Sequence, residues 1–224
     1  MKGNILLILL IIAIGTSLAE TAFPTEIPNK ALTPRTDSII EMKYHGTPYY
    51  YWTLSGSNWC LAGYFRLSDF GITKTSYRII IIGIMGYSSN GQAKIYVTAQ
   101  ENDNKPRCNP DNNFEYIDFG PLDWHINNTY PNYDDATVYN KNWYYDKSVS
   151  RFWVIYHLPT SPPPYPITDD STNAKNSLIW NPTLHSWTTD YNGYKLCWCM
   201  HVLIEYPPTK IENTSVGIVK SLFK

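Results

Sequence analysis

Charge is scarce in this chain, and neither sign dominates. Lys and Arg number 18 against 19 Asp and Glu, so the formal net charge is −1 and charged residues make up 17%, where about 25% is usual. Such a balance provides no field to steer the chain to nucleic acid or to an anionic membrane surface. Catalytic signatures are missing too. There is no Gly-x-Ser-x-Gly elbow, no His-Glu-x-x-His pair and no phosphate loop ending in Gly-Lys-Ser/Thr. His45, His125, His157, His185 and His201 are all more than four residues apart, so no local metal pair exists. Helical periodicity is absent outside the first residues and the last few, which excludes a helical bundle.

The longest apolar run stands at the start. There Met1-Lys2 leads into Ile5-Leu6-Leu7-Ile8-Leu9-Leu10-Ile11-Ile12-Ala13-Ile14 and then Gly15-Thr16-Ser17-Leu18-Ala19. A basic opening, an apolar run and a small-x-small ending are the parts of a secretory signal peptide. The run falls short of the about 20 residues a membrane helix needs, so cleavage after Ala19 is expected and no span in the mature chain. That places the protein outside the cytosol, secreted or at the cell surface, extracellular or periplasmic. About 205 residues remain, enough for one large β domain with a real core.

Cysteine is sparse: Cys60, Cys108, Cys197 and Cys199. An even number in an exported chain points to disulfides. Cys197 and Cys199 lie two apart in strand-like sequence, about 7 Å along a strand, beyond normal disulfide reach. Cys60 and Cys108 are therefore the candidate partners of that pair, with free thiols as the alternative. Cys-x-Cys beside His201 is a poor zinc match, so no metal is assigned there.

Aromatics are what the chain has in abundance, with 19 Tyr and 8 Trp. These residues favour strands and also build binding surfaces. Strand patterns recur at Trp59 to Leu67, Tyr77 to Met85, Ala93 to Gln100, Arg151 to Leu158 and Tyr194 to Tyr206. In the last, Tyr194, Leu196, Trp198, Met200, Val202 and Ile204 share one face. Ser88-Ser89-Asn90-Gly91 and Asp190-Tyr191-Asn192-Gly193 supply turn chemistry. The expected fold is all-β, an antiparallel β-sandwich. Residues 1–19 form the leader, 20–42 an extended lead-in or linker, 43–207 the β domain and 208–224 a tail.

Two aromatic clusters are the candidate ligand-binding residues: Tyr49, Tyr50, Tyr51 and Trp52, and Trp143, Tyr144 and Tyr145. On a strand, half of each set feeds the core and half faces outward, where rings among Asn, Asp and Thr suit a glycan or a protein partner. Glu115, Asp118 and Asp123 beside Trp124 offer the alternative, a polysaccharide hydrolase using a carboxylate pair. No catalytic residue is assigned. Glu101, Asn102, Asp103 and Asn104, with Asn109, Asp111, Asn112 and Asn113, gather oxygen ligands suited to Ca²⁺, but they are equally good turn formers and lack an EF-hand spacing. No other cofactor is expected.

Ile95-Tyr96-Val97-Thr98-Ala99-Gln100-Glu101-Asn102-Asp103-Asn104-Lys105-Pro106 resembles the strand and Asp/Asn-x-Lys-Pro turn of jelly-roll-like modules of secreted bacterial proteins. The later order is similar too: Phe152-Trp153-Val154, a Pro-rich turn, Asp169-Asp170, Ser186-Trp187 and a closing strand. The resemblance runs from about Tyr44 to Tyr206 and departs at Arg107-Cys108, where a glycine is usual. It implies a jelly-roll-like fold and an exported location, with no shared catalytic residues. The sequence thus predicts a non-enzymatic binding, adhesion or surface-assembly module.

Overall fold

Each apolar run in the middle of the chain becomes a strand. The computed structural model describes residues 22–26, 39–72, 76–87, 90–99, 105–145, 149–169, 176–191 and 193–205, with the backbone alone for 22–26 and 190. The expected leader 1–19, the expected tail 208–224 and residues 101–104 of the calcium candidates lie outside these.

The first strands are β1 (Ala22–Glu26), β2 (Ile39–Met42), β3 (Pro48–Leu54), β4 (Trp59–Arg66), β5 (Tyr77–Ile84), β6 (Gly91–Ala99), β7 (Phe119–Ile126) and β8 (Asp134–Thr137). They continue as β9 (Tyr144–Tyr145), β10 (Arg151–Leu158), β11 (Ile167–Asp169), β12 (Ser177–Asn181), β13 (Ser186–Thr188), β14 (Asp190–Tyr191), β15 (Tyr194–Lys195) and β16 (Met200–Glu205). Three short 3₁₀ turns complete the described secondary structure, which contains no α-helix. Among the described residues no helix is long and apolar enough to cross a membrane.

Every strand pairing is antiparallel. A six-stranded sheet runs β13-β12-β4-β10-β6-β7, and a second runs β2-β16-β5-β8 with β9 also on β5. A three-stranded sheet, β1-β3-β11, flanks them. The stretch 20–42 contributes β1 and β2 to these sheets.

Alternation explains how the two large sheets meet. Trp59, Leu61 and Phe65 of β4, Ala93, Ile95 and Val97 of β6, and Phe152, Val154 and Tyr156 of β10 share one buried cluster with Tyr77, Ile79, Ile82 and Ile84 of β5 and Met200, Val202 and Ile204 of β16. Two sheets closing over one apolar layer is the arrangement of a β-sandwich. A register shift between Leu203 and Ile204 leaves Ile80 as an extra residue in β5. A bulge reverses the parity of the strand. Tyr77 and Ile79 before it and Ile82 and Ile84 after it therefore all face inward, while Ile80 and Ile81 pack outside with Tyr139 and Leu203.

Two expectations need correction. The closing run is not one long strand of a single sheet: between β15 and β16 residues 197–199 bridge β11, Cys199 N donating to Ile167 O (2.8 Å) and Asp169 N to Cys197 O (3.0 Å), while Trp198 N donates to Ser177 Oγ (3.0 Å). The expected disulfides are also not formed; Cys60, Cys108, Cys197 and Cys199 are all buried thiols. Parity is the reason for Cys60, which sits between the inward-facing Trp59 and Leu61 and so points outward, into a cluster with Cys108. Cys199 belongs to a separate cluster with Met85 and Ile167.

Candidate functional site

β3 is the centre of the three-stranded sheet, and its consecutive aromatic residues divide between two faces. Trp52 is buried, with Nε1 donating to Thr168 Oγ1 (3.0 Å) and its ring 6.1 Å from Trp198. On that same face Tyr50 and Trp52 both meet Tyr194, at 6.2 and 5.9 Å between ring centroids. Tyr194 is 43% exposed. On the other face Tyr51 is stacked by Tyr87 (4.7 Å, 22°) and Tyr165 (6.0 Å, 21°), and Tyr130 meets Tyr87 edge-on. Tyr49 contacts Tyr50 at 4.6 Å. Tyr49, Tyr50, Tyr51, Tyr87, Tyr130 and Tyr165 are half-buried. Each face of β3 thus carries partly open phenol rings, the larger stack being Tyr51, Tyr87 and Tyr165, whose orientations are fixed by one another and by backbone bonds such as Tyr87 N to Tyr165 O.

The second aromatic set contributes less surface. Trp143 and Tyr145 are buried, Trp143 stacked on Phe119 (5.7 Å, 11°) and Tyr145 Oη donating to Asp118 Oδ2 (2.7 Å). Burial, reinforced by that bond, pushes the Tyr145 hydroxyl well above its ordinary range. Only Tyr144 of the three is exposed.

The three acids are not gathered around Trp124. Glu115 is exposed. Asp118 accepts from Tyr145 Oη and from Ala99 N. Asp123 is exposed opposite Lys94, whereas Trp124, its neighbour on the strand, packs toward the inter-sheet core and donates Nε1 to Asp134 Oδ1 (3.1 Å). Of the calcium candidates, Asn109 Oδ1 caps Asp111 N (2.9 Å) and Asp111 Oδ2 lies 2.7 Å from His185 Nδ1. Among the described residues no group of three His, Cys, Asp or Glu side chains could hold a metal ion.

His201 is a closed cross-brace. Its Nδ1 lies 2.6 Å from Glu41 Oε1 and its Nε2 2.7 Å from Asp135 Oδ1, and Tyr133 covers the ring at 3.6 Å and 15°. Glu41, His201 and Asp135 belong to β2, β16 and β8, so the ring reaches over β5 at Gly83. Tyr133 Oη bonds His45 Nε2, and burial holds His45 below its ordinary pKa. With 1% exposure, His201 has no room for a substrate.

A cleft of about 720 Å³ opens on the outer face of the six-stranded sheet. Alternation puts Lys94 and Tyr96 of β6 and His157 of β10 on its floor, opposite their inward-facing neighbours. Its walls are the segments 110–114 and 182–185, with Ser57 and Asn58 at one end. Tyr96 and Phe114 stack at 4.2 Å and 10°. His157 is lowered to about pKa 4, first by burial and then by Lys94. Sequence reasoning missed this cleft because its walls come from loops brought together only by folding. The outward parity of Lys94, Tyr96 and His157 was the one readable signal.

Comparison of the chain with protein-family models, curated proteins and solved structures gave no match.

Proposed function

We propose that this protein is an exported, non-enzymatic binding module that recognises a glycan through the tyrosine surface around β3. One observation carries the reading: on one face of β3 Tyr87 and Tyr165 both stack on Tyr51, each ring still partly open to solvent. Rings already fixed by packing lose little freedom on binding. Their faces suit the C–H side of a sugar, and their hydroxyls suit its hydroxyl groups. Export rests on the three-part pattern of residues 1–19. The jelly-roll-like arrangement belongs to the same proposal, supported by a sheet in which β4, β10 and β6 are neighbours without being consecutive.

A glycan array tests the reading. The wild-type protein retains a defined subset of glycans, and Tyr51→Ala and Tyr165→Ala each lower retention about tenfold with an unchanged circular dichroism spectrum. An array on which nothing is retained contradicts the glycan reading and turns attention to a protein partner on the same rings.

A further inference from the structure

We infer that the cleft on the outer face of the six-stranded sheet is a second binding site, for one or two rings of a saccharide that carries a carboxylate, with Lys94 meeting the carboxylate. Backbone strain is concentrated there. Among the described residues six non-glycine positions have positive φ, and four of them line the cleft: Asn58 (64°), Asn113 (54°), Phe114 (56°) and His185 (49°). A fifth, Tyr116, lies two residues beyond Phe114. A left-handed phenylalanine is costly, and such residues persist where surrounding structure over-determines them, commonly at ligand clamps. Here the Tyr96 stack and the bond from Phe114 N to Asn109 O (3.3 Å) hold it, and the His185–Asp111 contact ties the two walls together.

The lining specifies the chemistry. Lys94 brings a cation to the floor and forms no ion pair among the described residues, although Asp123 is its neighbour across β7. His157 Nε2 donates to Asn58 Oδ1 at 3.3 Å, leaving Nδ1 buried without a hydrogen-bond partner. Ser57, Asn113 and Thr183 add hydroxyl and amide groups. The one carboxylate of the lining, Asp111, is turned to His185, so the Lys94 ammonium is left among hydroxyl and amide groups, a combination that suits a hydroxylated anion better than a cationic ligand. The volume lies within the range of sites that hold small ligands. None of these side chains belongs to the tyrosine surface, so the two sites fail or succeed separately.

Calorimetric titration of the full-length mature chain distinguishes the outcomes. The probes are a galacturonate disaccharide, the matching neutral galactose disaccharide and lactate as a carboxylate without a sugar ring. The uronate binds saturably and about tenfold more tightly than either control. Lys94→Gln removes that preference, Lys94→Arg retains part of it, and Tyr51→Ala leaves it unchanged. Should Lys94→Gln fail to fold, Thr183→Glu, at an exposed position, places a like charge at the wall and produces the same loss. Equal binding of the neutral disaccharide, equal binding of lactate, an unaltered preference in both charge variants, or no saturable uronate binding would each overturn the inference.

Discussion

Gly83 has no side chain where the His201 ring crosses β5, and a Cβ there would lie 2.4 Å from both His201 Nε2 and Asp135 Oδ1. Gly83→Ala must therefore displace a buried ring held by two carboxylates. The expected loss is about 3 kcal/mol, or about 6–12 °C in Tm for a chain of this size. Thermal unfolding checks it, and an unchanged Tm would show the brace to be slack. His157 gives a second test. Its pKa, lowered from 6.5 to about 4, means the unfolded chain takes up the proton first. Its contribution to stability is full above pH 6.5 and is lost as pH falls through about 4. A ring-proton NMR titration should place its midpoint near 4; a midpoint at or above 6.5 contradicts the burial argument. The thiols offer a third. Burial pushes Cys108 up to about 12 and Cys60 and Cys199 well above their ordinary range. Ellman's reagent at pH 8 should find the native thiols unreactive and all four reactive after denaturation.

At the scale of elements, β5 is buried on both sides along its whole length. Ile82→Ala, in the inter-sheet layer, should cost about 2–5 kcal/mol by urea denaturation, whereas Tyr144→Ala, at a 41% exposed position on β9, should stay within about 0.5 kcal/mol. Equal losses would contradict the face assignment. Strand positions such as Trp59 to Leu67 and Arg151 to Leu158 were legible because period-2 patterning needs no knowledge of the partner strand. The break at 196–199 was not: Leu196, Trp198 and Met200 keep their alternation and all reach the core while 197–199 pair with β11, a partner that the alternation does not reveal. The bulge at Ile80 hid within a run of isoleucines for the same reason. Half of the Trp143-Tyr144-Tyr145 assignment could be read from alternation, but which ring stays outside depended on Phe119 and Asp118.

Across the whole molecule, the antiparallel sheets form a rigid scaffold, and the candidate sites are surfaces laid on it. The tyrosine surface was half legible: β3 announced Tyr49 to Trp52, but Tyr87, Tyr130 and Tyr165 join Tyr51 from distant segments, and Tyr194 joins Tyr50 on the opposite face. A ligand held there at about 100 times its Kd should stabilise the fold by about 2.7 kcal/mol. The central claim is that these rings bind a sugar and leave it chemically intact. The most direct measurement is an NMR titration of tyrosine-ring-labelled protein with an oligosaccharide retained on the array, following ring and ligand signals in the same sample. Shifts in the Tyr51, Tyr87 and Tyr165 rings, with ligand resonances unaltered after prolonged incubation, are the predicted result. Unmoved rings, or new reducing-end signals from a cleaved ligand, would contradict it.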